Sequence, residues 1–143
     1  MNGKVGYLSQ NPNDYLFSDS VYEELAFSLK LHRRKDFQKI NETLALLGIE
    51  HCKEKNPRDL SSGEKQRVAL GTIFVTDPDI LILDEPTRGL DRSAKENLGE
   101  LLLSLKAAGK TILLVTHDVE FAATICTRIC LIFDGNIAQI GSK

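Results

Sequence analysis

The sequence predicts an α/β fold, a parallel sheet flanked by helices with a helical insertion near the N-terminus. Two observations carry this expectation. From residue 80 onward, apolar runs alternate with helical stripes in the order strand, helix, strand, helix, strand, as parallel strands joined by crossover helices require. Before that point, one short strand-like segment is followed by three helical segments, the last reaching about Val75. Neither an internal repeat nor a linker interrupts the chain.

Each element has its own signal. Residues 4–9 (KVGYLS) read as a short strand, followed by the polar turn Gln10-Asn11-Pro12-Asn13-Asp14. Ser20-x-x-Glu23 has the spacing of a capping box, and Leu25 and Leu29 fall on one face of the helix it opens. Phe37, Ile40, Leu44 and Leu47 form a second helical stripe, with Gly48 placed to end it. A charged connector occupies residues 50–59, and Leu60 to Gly63 lead into a third helix reaching about Val75. Ile80-Leu81-Ile82-Leu83 is a continuous apolar run, the mark of a strand covered on both faces. Leu98, Leu101, Leu102 and Leu105 give a core-facing helical stripe closed by Gly109. Residues 111–116 (TILLVT) read as a second buried strand, and residues 119–125 as a helix. Finally, residues 129–133 and 137–140 flank Asp134-Gly135-Asn136, a hairpin turn.

Composition narrows the functional classes. A chain of 143 residues is one domain, with 42% hydrophobic and 27% charged residues, ordinary for a globular protein and wrong for a disordered one. Eighteen basic residues against 20 acidic ones leave a charge of -2, so no global basic field favours nucleic acid. The apolar runs fall far below the roughly 20 residues that span a bilayer. Arg33-Arg34-Lys35 reads as a solvated face or a membrane-side contact. Cys126-x3-Cys130 with a distant Cys52 fits no common zinc pattern, and the three thiols read as small buried hydrophobes in a reducing cytosol.

Four constellations carry chemistry. The strand at residues 80–83 delivers Asp84 and Glu85 to its carboxyl end, the edge at which open α/β sheets bind ligands. One acid there suits Mg²⁺, which takes few carboxylates and leaves room for phosphate oxygens. The next can orient or deprotonate a water, a role typically contributing about 10² to 10⁴ in rate. Leu60-Ser61-Ser62-Gly63-Glu64-Lys65-Gln66-Arg67 puts small residues at a helix start, where free N–H groups and the macrodipole favour an anion. The same residues also read as a plain helix cap. Thr116-His117-Asp118 places His117 on the edge that holds Asp84 and Glu85, in reach of a terminal phosphate or an attacking water. Gln10, just past the first strand, means little alone.

Taken in order and register, Gln10, the Ser-Ser-Gly-Glu helix start, Asp84-Glu85, Gly89-Leu90-Asp91 and His117 make the chain resemble the ATPase subunit of an ATP-binding cassette (ABC) transporter. The resemblance covers essentially the whole chain. It implies a P-loop NTPase-like (RecA-like) parallel sheet, with residues from about 13 to 60 forming the helical subdomain inserted into the catalytic core. It implies that Gln10 is the Q-loop glutamine at the metal and water site. Leu60, Ser61, Ser62, Gly63 and Glu64 match the signature, usually Leu-Ser-Gly-Gly-Gln, which closes over ATP held by the opposite subunit. Ser62 and Glu64 depart from that form, and Glu64 puts a carboxylate near the anion. Asp84 matches the Walker B metal carboxylate, Glu85 the general base, Asp91 the D-loop aspartate at the dimer seam, and His117 the switch histidine. The implied cofactors are ATP and Mg²⁺. The implied partners are a second ABC ATPase subunit and an integral membrane transporter subunit, without nucleic acid. The implied location is the cytoplasmic face of the cell membrane, as a peripheral protein. Gln10 to Asp14, together with Val21-Tyr22-Glu23-Glu24-Leu25-Ala26-Phe27, resembles the energy-coupling-factor group, which serves vitamin and metal-ion importers. Tyr15, Leu16, Phe17, Val21 and Tyr22 read either as a groove for a helix of the membrane subunit or as the core of the helical insertion.

One expected motif does not occur. No Gly-x-x-x-x-Gly-Lys-[Ser/Thr] is found in the sequence. In the resembling family this phosphate-cradling loop lies upstream of the Q-loop, so the chain reads as N-terminally truncated, the C-terminal part of a longer ATPase. Losing even four charged hydrogen bonds to phosphate removes about 6 kcal/mol, more than four decades of affinity, so these residues alone are expected to bind ATP very poorly. The family's phosphate-loop strand lies between the His117 strand and the one at residues 129–133. Its absence is expected to leave unpaired backbone and marginal stability. The competing assignment is a non-catalytic dimer partner that lends Ser61 and Gly63 to ATP on a complete subunit. A DNA-repair relative ranks low, because no long heptad segment separates Gln10 from the helix start at Ser61.

Overall fold

The computed structural model describes residues 5–142, so Lys4, the first residue of the expected first strand, lies outside the described residues. Three parallel strands form the central sheet: β1 (Val5–Leu8), β2 (Ile80–Asp84) and β3 (Thr111–Val115), in the order β1-β2-β3. Leu8 pairs with Leu83, and Asp84 with Val115, so all three strands end at one edge. Between β1 and β2 the chain is helical. A 3₁₀ turn (Pro12–Tyr15) is followed by α1 (Val21–Leu31) and α2 (Gln38–Leu46). Two further 3₁₀ turns (Glu50–Cys52 and Pro57–Asp59) then lead into α3 (Ser62–Phe74). α4 (Arg92–Ala107) crosses from β2 to β3, and α5 (Val119–Ile125) leads to the antiparallel hairpin β4 (Arg128–Phe133) and β5 (Asn136–Ser142).

Local chemistry accounts for the helix ends. Ser20 accepts a hydrogen bond from the Glu23 N–H at 3.2 Å and so caps α1. The reciprocal half of the expected capping box is not formed among the described residues. Gly48 (φ 63°) and Gly109 (φ 87°) end α2 and α4. In each case the glycine N–H bonds back three residues and the next N–H five residues, the Schellman arrangement that satisfies the last carbonyls. Phe37, expected in the α2 stripe, is instead that helix's N-cap residue and is partly exposed, while Ile40 and Leu44 carry the buried face.

One continuous core joins the helical segment to the sheet, with Leu8, Leu25, Leu29, Ile40, Leu44, Leu70, Leu83 and Leu102 fully enclosed. The helices approach closely where side chains are small. A Cβ on Gly71 of α3 would lie 3.3 Å from Leu47 Cδ1, and one on Gly6 of β1 would overlap Ile73 Cγ2. Of the groove candidates, Leu16 and Val21 belong to this core, Tyr15 and Tyr22 are half-buried against it, and Phe17 stands in solvent.

The sheet corrects one expectation. The apolar runs of β2 and β3 suggested strands covered on both faces, but burial alternates along them. Leu81 and Leu83 are enclosed, Ile112 and Leu114 pack against the core, and Val5, Tyr7, Leu113 and Val115 on the other face are each about half exposed. No described residue covers that second face. The hairpin is likewise as expected in its turn but exposed along both strands, and it pairs with neither edge of the central sheet. The thiols also divide differently from the reading as buried hydrophobes: Cys52 is buried, Cys126 is half-buried, and Cys130, on the open hairpin, is exposed.

Candidate active site

The carboxyl edge of the sheet gathers the acidic pair and the histidine. β2 ends at Asp84, and Glu85 then turns sharply, with φ 50°. A residue with a Cβ pays about 1–2 kcal/mol in that region, and several bonds hold Glu85 there. Its N–H donates to Val115 O at 2.8 Å, and its side chain is folded against the end of β3. Oε1 accepts from the His117 N–H at 2.9 Å and lies 2.8 Å from His117 Nδ1, while Oε2 accepts from Thr116 Oγ1 at 3.2 Å. Glu85 is buried, whereas the His117 side chain is 86% exposed, so the ring closes over the carboxylate with its far side toward solvent.

Two neighbours brace this arrangement. Gln66 of α3 is fully buried and donates from Nε2 to Pro86 O at 3.2 Å, fixing the chain just after Glu85. Asp118 caps α5 by accepting from the Phe121 N–H at 3.0 Å, and Lys95 of α4 meets its other oxygen at 2.7 Å. The Lys95 ammonium foremost, then the Phe121 N–H, holds the Asp118 carboxyl below its usual range. His117 is thereby set between a strand end and a pinned helix start. Lys95 was not singled out in the sequence, and Gln66 and Thr116 stood there only as members of their motifs with no role of their own, because each looks like an ordinary polar residue of a helix or strand end.

Asp84 is half-buried at the same edge, and its carboxylate makes no hydrogen bond among the described residues. Gln10 is exposed, two residues past Leu8, which pairs with Leu83 beside this acidic turn. Asp91 takes a local role as N-cap of α4, its Oδ1 accepting from the Ala94 N–H at 2.8 Å.

Leu60 is buried just before α3, and Ser61 is the N-cap of a complete capping box. The Glu64 N–H donates to Ser61 Oγ at 3.4 Å, and Glu64 Oε2 accepts from Ser61 N and Ser61 Oγ at 2.9 and 2.7 Å. The Glu64 carboxylate is therefore turned back over the first turn. Ser62 is the first helical residue, with no left-handed backbone, so a side chain is tolerated there. A Cβ on Gly63 would lie 2.9 Å from Gly89 O, so the start of α3 rests directly on the Gly89-Leu90-Asp91 loop. Among the described residues no helix is long and apolar enough to cross a membrane.

Comparison with known proteins supplies the context. The ABC transporter family profile matches residues 1–88. A putative ABC transporter ATP-binding protein of Clostridium tetani is 50% identical over 138 residues, which are 96% of this chain and 32% of that protein. The energy-coupling factor transporter ATP-binding protein EcfA of Methanocaldococcus jannaschii is 36% identical over 141 residues, 96% of this chain and 50% of that protein. Among solved structures, the dimeric ATP-binding cassette MJ0796 in a post-hydrolysis state with ADP and Pi matches with a TM-score of 0.84 at 26% identity, covering 98% of this chain and 63% of that one. The chain thus spans about a third to a half of the length of these two curated relatives. With an acid pair at the edge of a parallel sheet, a histidine across it and a capped helix start beside it, the chain belongs to the ABC transporter family, on a P-loop NTPase fold.

Proposed function

We propose that these residues form part of the nucleotide-binding subunit of an ABC transporter, which couples ATP binding and hydrolysis to solute uptake. The observation that carries the reading is the Glu85–His117 pair at the carboxyl edge, 2.8 Å apart. A carboxylate offers about four acceptor positions. Three are engaged by the His117 N–H, His117 Nδ1 and Thr116 Oγ1, which orients Glu85 and leaves one position for a proton of an attacking water. His117, exposed beyond it, contacts the terminal phosphate. Asp84 is an oxygen donor without a protein partner among the described residues, at a ligand-binding edge, and suits Mg²⁺; the Gln10 amide is a second oxygen donor beside it. Bound there, Mg²⁺ would neutralise charge on the phosphate oxygens.

The start of α3 completes the reading in a dimer. Leu60, Ser61, Ser62, Gly63 and Glu64 face ATP on a second ABC ATPase subunit, and Asp91, on the loop that touches Gly63, lies at the seam. The exposed face near Phe17 meets an integral membrane subunit at the cytoplasmic side of the membrane. Residues 13–60 form the helical subdomain. The likeness to a protein named for the energy-coupling factor agrees with the resemblance of residues 10–14 and 21–27 to that group, and the solute that resemblance implies is a vitamin or a metal ion.

The test is a chimera in which a segment carrying a Gly-x-x-x-x-Gly-Lys-[Ser/Thr] loop, taken from a complete ABC ATPase, precedes this chain. The folded chimera is expected to hydrolyse Mg-ATP, and Glu85→Gln to lower kcat by about 10² to 10⁴ with ATP binding retained. A cooperatively folding chimera without hydrolysis, or a Glu85→Gln variant of undiminished kcat, would overturn the assignment. The start of α3, fully capped and with Ser61 exposed, also fits a second reading, a non-catalytic partner that lends Ser61 and Gly63 to a complete subunit. It predicts that this chain stimulates such a subunit's ATPase on mixing and that Ser61→Arg abolishes the stimulation.

A further inference from the structure

Beside the start of α3, His51 Nε2 and Cys52 Sγ both converge on Glu64 Oε1, at 3.0 and 3.2 Å. The three ligand atoms all lie within 4.8 Å of one another. We propose that His51, Cys52 and Glu64 form a three-ligand site for a transition metal of the Zn²⁺ class, with a fourth position open to water. This inference does not depend on the nucleotide reading.

Two of the three ligand pairs are already close to the spacing a metal requires, and the third lies within 4.8 Å. Zinc bonds of about 2.0 Å to nitrogen and oxygen and about 2.3 Å to sulfur, set at tetrahedral angles, place neighbouring ligand atoms about 3.3–3.6 Å apart. The two contacts to Glu64 Oε1 need to open by only a few tenths of an ångström. The donors are an imidazole, a thiolate and a carboxylate, a set that suits zinc and its neighbours and is too soft for Mg²⁺ or Ca²⁺. The second shell is in place as well: Glu64's other oxygen is held by Ser61 N and Ser61 Oγ, which fixes the carboxylate before any metal arrives. Access is open, because the His51 side chain is 57% exposed while Cys52 forms the closed floor.

The Cys52 thiol has no other evident task. Its Sγ donates to Glu64 Oε1 at 3.2 Å, as a thiol beside a carboxylate does. On metal binding its proton leaves to the buffer and the sulfur–metal bond replaces the S–H bond. His51 binds through Nε2 with its proton on Nδ1. Thiolate and carboxylate together balance a divalent ion. The sequence concealed the site because its ligands come from a 3₁₀ turn and from the third position of α3, outside any zinc spacing.

The experiment is a Co²⁺ titration of the full 143-residue chain, carried out in a Cys126→Ser/Cys130→Ser background that leaves Cys52 as the one thiol, with circular dichroism recorded alongside. The expected result is one equivalent of Co²⁺ giving visible tetrahedral bands and a near-ultraviolet thiolate charge-transfer band, both erased by added Zn²⁺. His51→Ala, at an exposed position that leaves the core intact, should weaken Co²⁺ binding more than about 100-fold, since even outer-shell losses cost 10–100-fold. Cys52→Ala should remove the charge-transfer band. A folded parent chain without that band, or binding unchanged by His51→Ala, would overturn the proposal.

Discussion

Glu64 shows how one side chain can serve several demands. It closes the capping box of α3, and it receives His51 and Cys52. Its carboxyl is held well below the ordinary range, foremost by the Ser61 hydroxyl, then by the Ser61 N–H, His51 and Cys52. A depressed folded pKa contributes stability that is present above the unfolded value, about 4.3 for Glu, and lost as pH falls through the folded one. Glu64→Gln is therefore expected to lower the urea midpoint at pH 7, with the gap to the parent shrinking steadily below about pH 4. Equal gaps at pH 7 and pH 3 would show that the charge does not matter. The neighbouring Ser61→Ala should cost about 0.5–2 kcal/mol through loss of the cap. At Glu85, in contrast, the residue is held in a left-handed turn by bonds to β3. Unfavourable backbone there is sustained by its surroundings, as is common where a side chain must be aimed.

Among the elements, α1, α2 and α4 end in the same way but with different residues. Gly48 and Gly109 occupy the left-handed position after α2 and α4, whereas Arg33 (φ 55°) occupies it after α1. The hydrogen bonds are equivalent, with the Arg33 and Arg34 N–H groups reaching Lys30 O and Leu29 O at 2.9 and 2.8 Å. A side chain costs about 1–2 kcal/mol at such a position, and glycine's greater freedom when unfolded returns about 0.5–1. Arg33→Gly is thus expected to stabilise the protein by about 0.5 kcal/mol in chemical denaturation. A loss of stability would show that the Arg33 side chain makes an offsetting interaction. The contact between α3 and the loop after β2 is less forgiving. Gly63→Ala would press a Cβ onto Gly89 O, a backbone atom, at a cost of about 1–3 kcal/mol by overpacking.

At the scale of the whole molecule, stability is uneven. β2 has a strand on each side and a core-facing row of Leu81 and Leu83, while β3 is an edge and β4–β5 pair only with each other. Amides at such edges open locally, well below the free energy of global unfolding. Hydrogen exchange is expected to find β2 amides the slowest, and the hairpin more than about tenfold faster. Comparable protection in β2 and β4 would mean that β4 is covered in solution. The open face carrying Val5, Tyr7, Leu113 and Val115 belongs to the same picture, because apolar side chains on both sides of β2 call for two covering layers and the described residues supply one.

The order of strands and helices, the hairpin turn and the acid pair were legible in the sequence because each rests on short-range rules: periodicity, glycine at helix ends and a run of apolar residues before Asp84. So was the place of His117, since parallel strands must end at one edge. Burial was not legible, because an apolar run states what a strand can tolerate and not what covers it. Nor were Gln66 on Pro86 O, Gly63 on Gly89 O, or the meeting of His51, Cys52 and Glu64. Those contacts join residues 12 to 26 positions apart, and only the packing of α3 against its neighbours brings them within a few ångströms.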